Sequence, residues 1–279
     1  MASRGEPDPI LKWAGGKRQL VPQILGRLPR KMKTYYEPFV GGAAVFFALA
    51  KEKERRFERA VLSDRNKDLI ALYEAIRDDV DGVIEKLSEL PHSEQDYYRI
   101  RDELRPRSKA AKAARLIYLN KTGYNGLYRV NSKGEFNVPF GRYARPKICD
   151  EPRLRAASGV LQGVELLVED FEVVCKRAKK GDAVYLDPPY LPVSATSSFA
   201  SYHSVPFGLL EHERLARTFG QLKRRNISAL LSNSDTQDTR RLFGGFELAT
   251  VQATRAINSN AQRRGPVPEL LVGTEAHSA

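Results

Sequence analysis

The run Ala183-Val184-Tyr185-Leu186-Asp187-Pro188-Pro189-Tyr190 places a carboxylate directly after four strand-forming residues. Two prolines then end the strand, because proline has no backbone N–H to donate to a neighbouring strand. The Asp187 carboxylate and the Pro188 carbonyl can accept hydrogen bonds but cannot donate them, and Tyr190 adds an aromatic face. This group suits an aromatic amine that has two N–H bonds to donate. A plain strand followed by a tight Pro-Pro turn is the alternative interpretation.

Earlier segments have the strand–turn–helix pattern of a Rossmann-like unit. Residues 34–47 run from a β-prone stretch through Gly41-Gly42 into a small-residue and then apolar helix. About twenty residues later a second strand ends in Asp64, the spacing at which such folds bind ribose hydroxyls. Capping of the helix that begins near Lys67 is the alternative role of Asp64. Together with Asp187 on a later strand, these features predict an adenosine-containing cofactor.

Near the amino end, Gly15-Gly16-Lys17 lies between Trp13 and a helical pattern. Backbone N–H groups and an ammonium at the start of a helix suit an anionic group. The spacing is not that of a P-loop. An ordinary turn, with Trp13 as a core residue, is the alternative.

The remaining periodicity predicts an α/β fold with a mixed sheet and helices on both faces. A strand at 164–168 is followed by Asp170-Phe171, and further strands are expected at 227–231, 246–253 and 269–272. Residues 67–119 have apolar positions at helical period and become basic towards their end. The simplest interpretation of those charges is a helix face that is exposed to solvent.

Residues 120–143 differ from the helices before them. Leu-Tyr-Arg-Val and Glu-Phe-Asn-Val flank Asn-Ser-Lys-Gly, which predicts a β-hairpin with glycine at the turn. Aromatic residues alternate with Arg129, Lys133 and Arg142, the mixture expected where rings meet bases and cations meet phosphates. A plain surface hairpin is the alternative.

Composition supports a nucleic-acid partner and gives no sign of a metal site. The formal net charge of +12 and pI near 9.7 favour a polyanion as partner. Cys149 and Cys175 are isolated and the four histidines have no ligand spacing, so neither a disulfide framework nor a zinc site is predicted. No membrane-length apolar run or signal-peptide pattern is seen, so a cytoplasmic protein, a monomer in solution, is expected.

The ordered set of motifs resembles the Dam-type DNA adenine-N6 methyltransferases, in their α group. In order, the motifs are Lys-Trp-Ala-Gly-Gly-Lys, Glu-Pro-Phe-Val-Gly-Gly, Ser-Asp-Arg-Asn, Tyr-Asn-Gly-Leu-Tyr-Arg, Gly-Glu-Phe-Asn-Val-Pro-Phe-Gly, Asp-Phe, Asp-Pro-Pro-Tyr and Leu-Ser-Asn-Ser-Asp. The glycine turn of this family is often written Gly-x-Gly, whereas this chain has Gly41-Gly42-Ala43.

That resemblance implies S-adenosylmethionine as cofactor, double-stranded DNA as partner, no metal, and GATC as target. The catalytic loop would be formed by Asp187, Pro188, Pro189 and Tyr190. The implied cofactor residues are Trp13, Lys17, Glu37, Phe39, Gly41, Gly42, Asp64, Asp170, Phe171 and Asp187. The implied DNA-binding residues are Tyr124, Asn125, Leu127, Arg129, Lys133, Asn137 and Arg142.

The resemblance also implies a division of the chain. Residues 1–66 and 156–279 would form a Rossmann-like methyltransferase domain, residues 67–155 an inserted recognition domain of helices and a β-hairpin, and residues 1–8 a disordered start. Two other functions stay open. The same cofactor chemistry could act on an RNA base or a protein glutamine, or an inactive methyltransferase fold could serve only to bind nucleic acid.

Overall fold

A computed structural model describes residues 5–13, 15–191, 207–254 and 266–274. Within these residues the strands are β1 (Met32–Glu37), β2 (Phe57–Asp64), β3 (Glu165–Val168), β4 (Ala183–Leu186), β5 (Ser228–Ser234), β6 (Glu247–Thr254) and β7 (Pro266–Gly273). They form one sheet in the order β3-β2-β1-β4-β5-β7-β6. The first five strands in this order are parallel, and β7 is antiparallel to both of its neighbours. The predicted Rossmann-like mixed sheet is confirmed.

The helices described are α1 (Val21–Arg27), α2 (Ala44–Lys51), α3 (Lys67–Asp78), α4 (Val80–Ser88), α5 (Glu94–Asp102), α6 (Lys109–Thr122), α7 (Glu151–Leu161), α8 (Phe171–Arg177), α9 (Leu209–Arg224) and α10 (Gln237–Phe243). The cap of α3 is Asn66, whose side chain accepts from the N–H groups of Asp68 and Leu69. Asp64 therefore does not cap this helix.

Both faces of the sheet are buried, because successive strand residues point to opposite sides. Tyr35 and Tyr185 belong to a cluster that α1–α7 cover, whereas Tyr36 and Val184 belong to a second cluster under α8, α9 and α10. The strands are consequently rigid, and they fix the positions of the residues that directly follow them.

The helices of the predicted recognition segment pack on one another and on the sheet. Tyr73 of α3, Tyr97 of α5 and Tyr118 of α6 are buried in the same hydrophobic cluster as β1 and β2. The core is thus continuous across residue 67, the predicted start of that segment. At the amino end, residues 1–4 lie outside the described residues, while Asp8 accepts hydrogen bonds from Arg18 and Lys51.

The predicted hairpin is present as a turn with single antiparallel bridges, so the expectation of two regular strands was wrong. Val130 pairs with Phe136 around the turn, and the Asn131 N–H donates to the Glu135 carbonyl. The Val138 carbonyl is occupied by the Tyr97 hydroxyl at 2.8 Å and by Arg101 at 3.1 Å. The pairing stops because the next hydrogen-bonded position, beyond the bond from the Asn137 N–H to the Arg129 carbonyl, is Pro139, which has no N–H to donate.

Among the described helices, none has both the length and the apolar composition needed to cross a lipid bilayer.

Candidate functional site

Four adjacent strands, β3, β2, β1 and β4, end at one edge of the sheet, and each end carries an acidic residue. These are Asp170 after β3, Asp64 at the end of β2, Glu37 at the end of β1 and Asp187 after β4. The chain connects β1 to β2 and β3 on one side, and β4 to β5 on the other. Open α/β sheets bind ligands in the crevice at such a switch point.

The glycine turn after β1 forms the floor of this crevice. Gly41 has φ of +44°, which disfavours a side chain, and a Cβ there would lie 2.8 Å from Trp13 Nε1. The Gly41 N–H donates to Asp64 Oδ2 at 3.2 Å, and the Asn66 N–H donates to Asp64 Oδ1 at 2.9 Å. Asp64 therefore ties the turn to the end of the neighbouring strand.

Glu37 points beneath the turn and is buried. Its Oε2 accepts from the Tyr35 hydroxyl at 2.8 Å and from the Phe46 N–H in the first turn of α2 at 3.1 Å. Burial, with a smaller contribution from the charge of Asp187, raises the pKa of Glu37 to about 8. The group therefore carries its proton at neutral pH.

Aromatic residues line the crevice at the end of β3. Phe39 stacks on Phe171 with ring centroids 5.3 Å apart. Asp170 caps α8, and Arg214 of α9 donates to both of its oxygens at 3.1 and 2.8 Å. The guanidinium of Arg214 also lies 4.3 Å from the centre of the Phe171 ring. The sequence did not identify Arg214, because an arginine in a charged helix carries no local signal.

Asp187 is held through one oxygen. Lys17 Nζ and Ser232 Oγ both lie 2.9 Å from its Oδ1. Among the described residues, no hydrogen bond or ion pair uses Oδ2. Burial raises the pKa of Asp187, although Lys17 and the Ser232 hydrogen bond act to lower it. The free oxygen is available to a ligand.

Ser232 belongs to a buried chain of hydroxyls with a fixed direction. Its Oγ lies 2.9 Å from the Tyr185 hydroxyl, and both side chains are almost fully buried. Because a carboxylate only accepts, Ser232 donates to Asp187 and Tyr185 must donate to Ser232. The available sequence signal for this role was the polar run Ser232-Asn233-Ser234 at the end of the strand.

The rest of the predicted catalytic loop is fixed to β5 and β7. Pro188 is buried, Pro189 is half-buried, and the Leu191 carbonyl accepts from Ser234 Oγ at 2.9 Å. The Tyr190 hydroxyl donates to Glu269 Oε2 at 2.6 Å. Burial, followed by the charges of Asp187 and Glu269, raises the pKa of Tyr190 well above its ordinary value.

Lys17 joins these groups. It is 5% exposed, donates to the Gly15 carbonyl at 2.6 Å, and lies 4.4 Å from the centre of the Tyr190 ring. Its ammonium therefore contacts both the carboxylate and the aromatic ring of the loop. The glycine pair before Lys17 supports these contacts, because the Gly15 carbonyl accepts a hydrogen bond from the ammonium.

Trp13 connects the glycine turn to the predicted recognition segment. Its ring packs on Gly41 and stacks on Tyr128 with centroids 5.6 Å apart. The neighbouring Lys12 exchanges two backbone hydrogen bonds of 2.8 Å with the side chain of Asn120, whose Nδ2 also donates to the Gly126 carbonyl. Asn120 was not singled out from the sequence.

The predicted DNA-binding residues lie on an exposed turn and the hairpin loop. Tyr124 is 49% exposed, and the neighbouring Asn125 has φ of +54°. Arg129 is held by Asn137 through contacts of 2.7 and 3.0 Å. The remaining predicted residues, half-buried Leu127 and exposed Lys133 and Arg142, lie along the same stretch.

A basic cavity of about 400 Å³ adjoins this stretch. Lys12, Lys121, Tyr143, Arg145 and Lys147 contribute to its lining. Burial, with smaller contributions from nearby positive charges, lowers the pKa of Lys121 to about 8. Within the described part of the chain, no group of three or more potential metal ligands occurs.

The fold and the loop define an enzyme of the methyltransferase class, and the comparisons identify its family. The family model for D12 class N6 adenine-specific DNA methyltransferases matches residues 13–257. A type II methyltransferase of Methanocaldococcus jannaschii is 42% identical, over 96% of this chain and 99% of the relative. The DNA adenine methylases of Salmonella typhi and Escherichia coli K12 are 40% and 39% identical, each over 94% of this chain and 93% of the relative. The chain belongs to the D12 family of adenine-N6 DNA methyltransferases, as its motifs predicted.

The cofactor of this class is S-adenosylmethionine. The residues at the crevice fit its adenosine part, because they combine a glycine turn without side chains, strand-end carboxylates and the Phe39–Phe171 pair. The predicted cofactor is therefore supported by both the family and the chemistry of the crevice.

Proposed function

We propose that this enzyme methylates N6 of an adenine that is extruded from duplex DNA, within the sequence GATC. The observation that carries the proposal is the position of the Lys17 ammonium. An amino group lies 2.9 Å from Asp187 Oδ1 and 4.4 Å from the centre of the Tyr190 ring. The loop thus binds a nitrogen between an acceptor and an aromatic face, the environment that an adenine amine requires.

The loop residues make the amine reactive by orienting it. The lone pair of an adenine amine is delocalised into the ring, so the nitrogen is a weak nucleophile. Asp187 and the Pro188 carbonyl would accept its two hydrogens and draw it towards tetrahedral geometry. S-adenosylmethionine supplies an electrophilic methyl carbon on a positively charged sulfur. Direct attack needs positioning more than a strong base, since the amine becomes acidic only as it is alkylated.

Base extrusion follows from the accessibility of the target. The amine of a paired adenine cannot reach a loop inside a crevice, so the base must leave the duplex at a cost of a few kcal/mol. Stacking on Tyr190 would offset part of that cost. Tyr124, half-exposed at the tip of its turn, would fill the space that the base vacates.

Duplex binding is supported by charge and by the recognition stretch. The net charge of +12 and the exposed Lys133 and Arg142 suit phosphate contacts. Asn125, Leu127 and Arg129 would contribute to reading bases. The choice of GATC comes from the likeness of this stretch to the Dam-type motif, Tyr-Asn-Gly-Leu-Tyr-Arg.

The experiment is expression in a host that lacks adenine methylation, followed by mapping of modified positions in its DNA. The expected result is N6-methyladenine confined to GATC. Purified enzyme with labelled cofactor and duplex DNA, RNA or glutamine peptide should label only the DNA. Asp187→Ala should lower turnover more than tenfold while DNA binding persists; Asp81→Ala, at a carboxylate 77% exposed on α4, is the matched control. Modification outside GATC refutes the target, and turnover of Asp187→Ala within tenfold of wild type refutes the role of the loop.

A further inference from the structure

We propose that Glu269 is a positioning residue for methyl transfer, which acts by holding the Tyr190 ring in the plane against which the extruded base stacks. The inference rests on the proposed role of Tyr190. Glu269 lies on β7, seventy-nine residues from Tyr190 along the chain, and its Oε2 accepts from the Tyr190 hydroxyl at 2.6 Å. Among the described residues, this is the one hydrogen bond or ion pair of the Glu269 carboxylate.

The bond is strong and well shielded. Glu269 is 7% exposed, and a hydroxyl that donates to a buried carboxylate forms one of the shorter and stronger hydrogen bonds in proteins. β7 pairs with β5 so that Glu269 faces Ser234 in register. The Glu269 carboxylate therefore lies on the rigid sheet. Its partner in the register, Ser234, is two residues from Ser232, the serine that holds Asp187.

This arrangement fixes the ring at both ends. Its Cβ is fixed by a loop that follows two prolines, and its hydroxyl is fixed by a strand. Without the second attachment the ring would be free to turn about two side-chain torsions. A flat base gains stacking energy only when the opposing ring lies parallel to it, so a fixed plane favours the extruded state.

The charge of Glu269 acts in the same direction. Within the part of the chain that the structure describes, Asp187, Glu269 and Lys17 are the charged groups that contact the loop, two of them acidic and one basic. Donation to a carboxylate makes the Tyr190 ring more electron-rich. The amine nitrogen becomes positively charged as its bond to the methyl carbon forms, and an electron-rich ring stabilises that charge.

The test is a double-mutant cycle on the full-length enzyme. Single-turnover methyl-transfer rates are measured for wild type, Glu269→Ala, Tyr190→Phe and the double variant, with duplex DNA and saturating cofactor. Each single variant should be about tenfold slower, and the double variant no slower than the slower single one. Glu269→Gln keeps an acceptor and should lose less, whereas Glu58→Gln, at an exposed carboxylate on β2, should leave the rate unchanged.

A second readout separates positioning from folding. With 2-aminopurine in place of the target adenine, the complex of Glu269→Ala should fluoresce less than that of wild type, because the extruded state is less populated and the base is quenched by stacking inside the duplex. Cofactor affinity should change little, and the variant should still unfold in a single cooperative transition above the assay temperature. A wild-type rate in Glu269→Ala, or additive losses in the double variant, overturns the inference. An inactive wild-type enzyme would instead refute the proposed function itself.

Discussion

Glu37 provides a prediction whose size follows from its environment. The carboxyl is 2% exposed, its two hydrogen bonds reach one oxygen, and its pKa is raised from 4.5 to about 8. The folded protein therefore holds a proton that the unfolded chain releases above pH 4.5. Replacement by Gln keeps an oxygen for Tyr35 and Phe46 and removes the ionisation.

The sign and magnitude follow from proton linkage. Below pH 4.5 the carboxyl is protonated in both states and contributes no pH dependence. As pH rises from 4.5 to about 8, only the unfolded chain loses the proton, so the stability of wild type falls by about 1.4 kcal/mol per pH unit through this group. The full loss is about 5 kcal/mol above pH 8. Glu37→Gln should not show it.

The assay is urea unfolding of wild type and Glu37→Gln between pH 4.5 and 8.5. All other ionisable groups are common to both proteins, so the difference between their free energies of unfolding isolates Glu37. That difference should grow in favour of the Gln variant as pH rises and level off above pH 8. A difference that stays constant with pH would refute the assignment of Glu37 as a buried neutral acid.

Three further predictions address the crevice and its supports. Lys17→Met removes the cation that lowers the pKa of Asp187, so the acid limb of the single-turnover rate should move to higher pH; an unchanged limb would exclude an ionised Asp187 as the acceptor. Gly41→Ala adds a Cβ 2.8 Å from Trp13 Nε1 at positive φ, and should cost about 2 kcal/mol in thermal or urea unfolding and weaken cofactor binding by calorimetry. Asn120→Ala removes three buried hydrogen bonds and should lower the unfolding free energy by about 2–3 kcal/mol; a neutral effect would show that backbone contacts alone hold Lys12.

The elements of this fold were largely predictable because periodicity and strand-end chemistry are local. The apolar run before Asp187, the glycine pair after β1 and the acid at the end of β2 each signalled their place at one sheet edge. A parallel sheet brings the carboxyl ends of its strands together regardless of the loops that connect them. Residues far apart in sequence could therefore be assigned to one site.

The partners of those residues were not predictable, because side-chain pairing depends on distances that sequence does not contain. Glu269 was predicted only as the first residue of a strand, and its contact with Tyr190 depends on β7 entering the sheet beside β5. The hairpin forms isolated bridges and no regular strands, because Pro139 stands at the next hydrogen-bonded position of the register and has no N–H to donate.

The short stretch from Lys12 to Lys17 contacts both the crevice, at Asp187, and the predicted recognition segment, at Asn120. Lys12 is hydrogen-bonded to Asn120, Lys17 forms an ion pair with Asp187, and Trp13 between them stacks on Tyr128. If the predicted recognition turn were exchanged for that of a relative, this amino-terminal stretch would face a turn whose side chains it does not fit. Chimeras of the D12 family should therefore keep the amino-terminal stretch and the turn from the same parent.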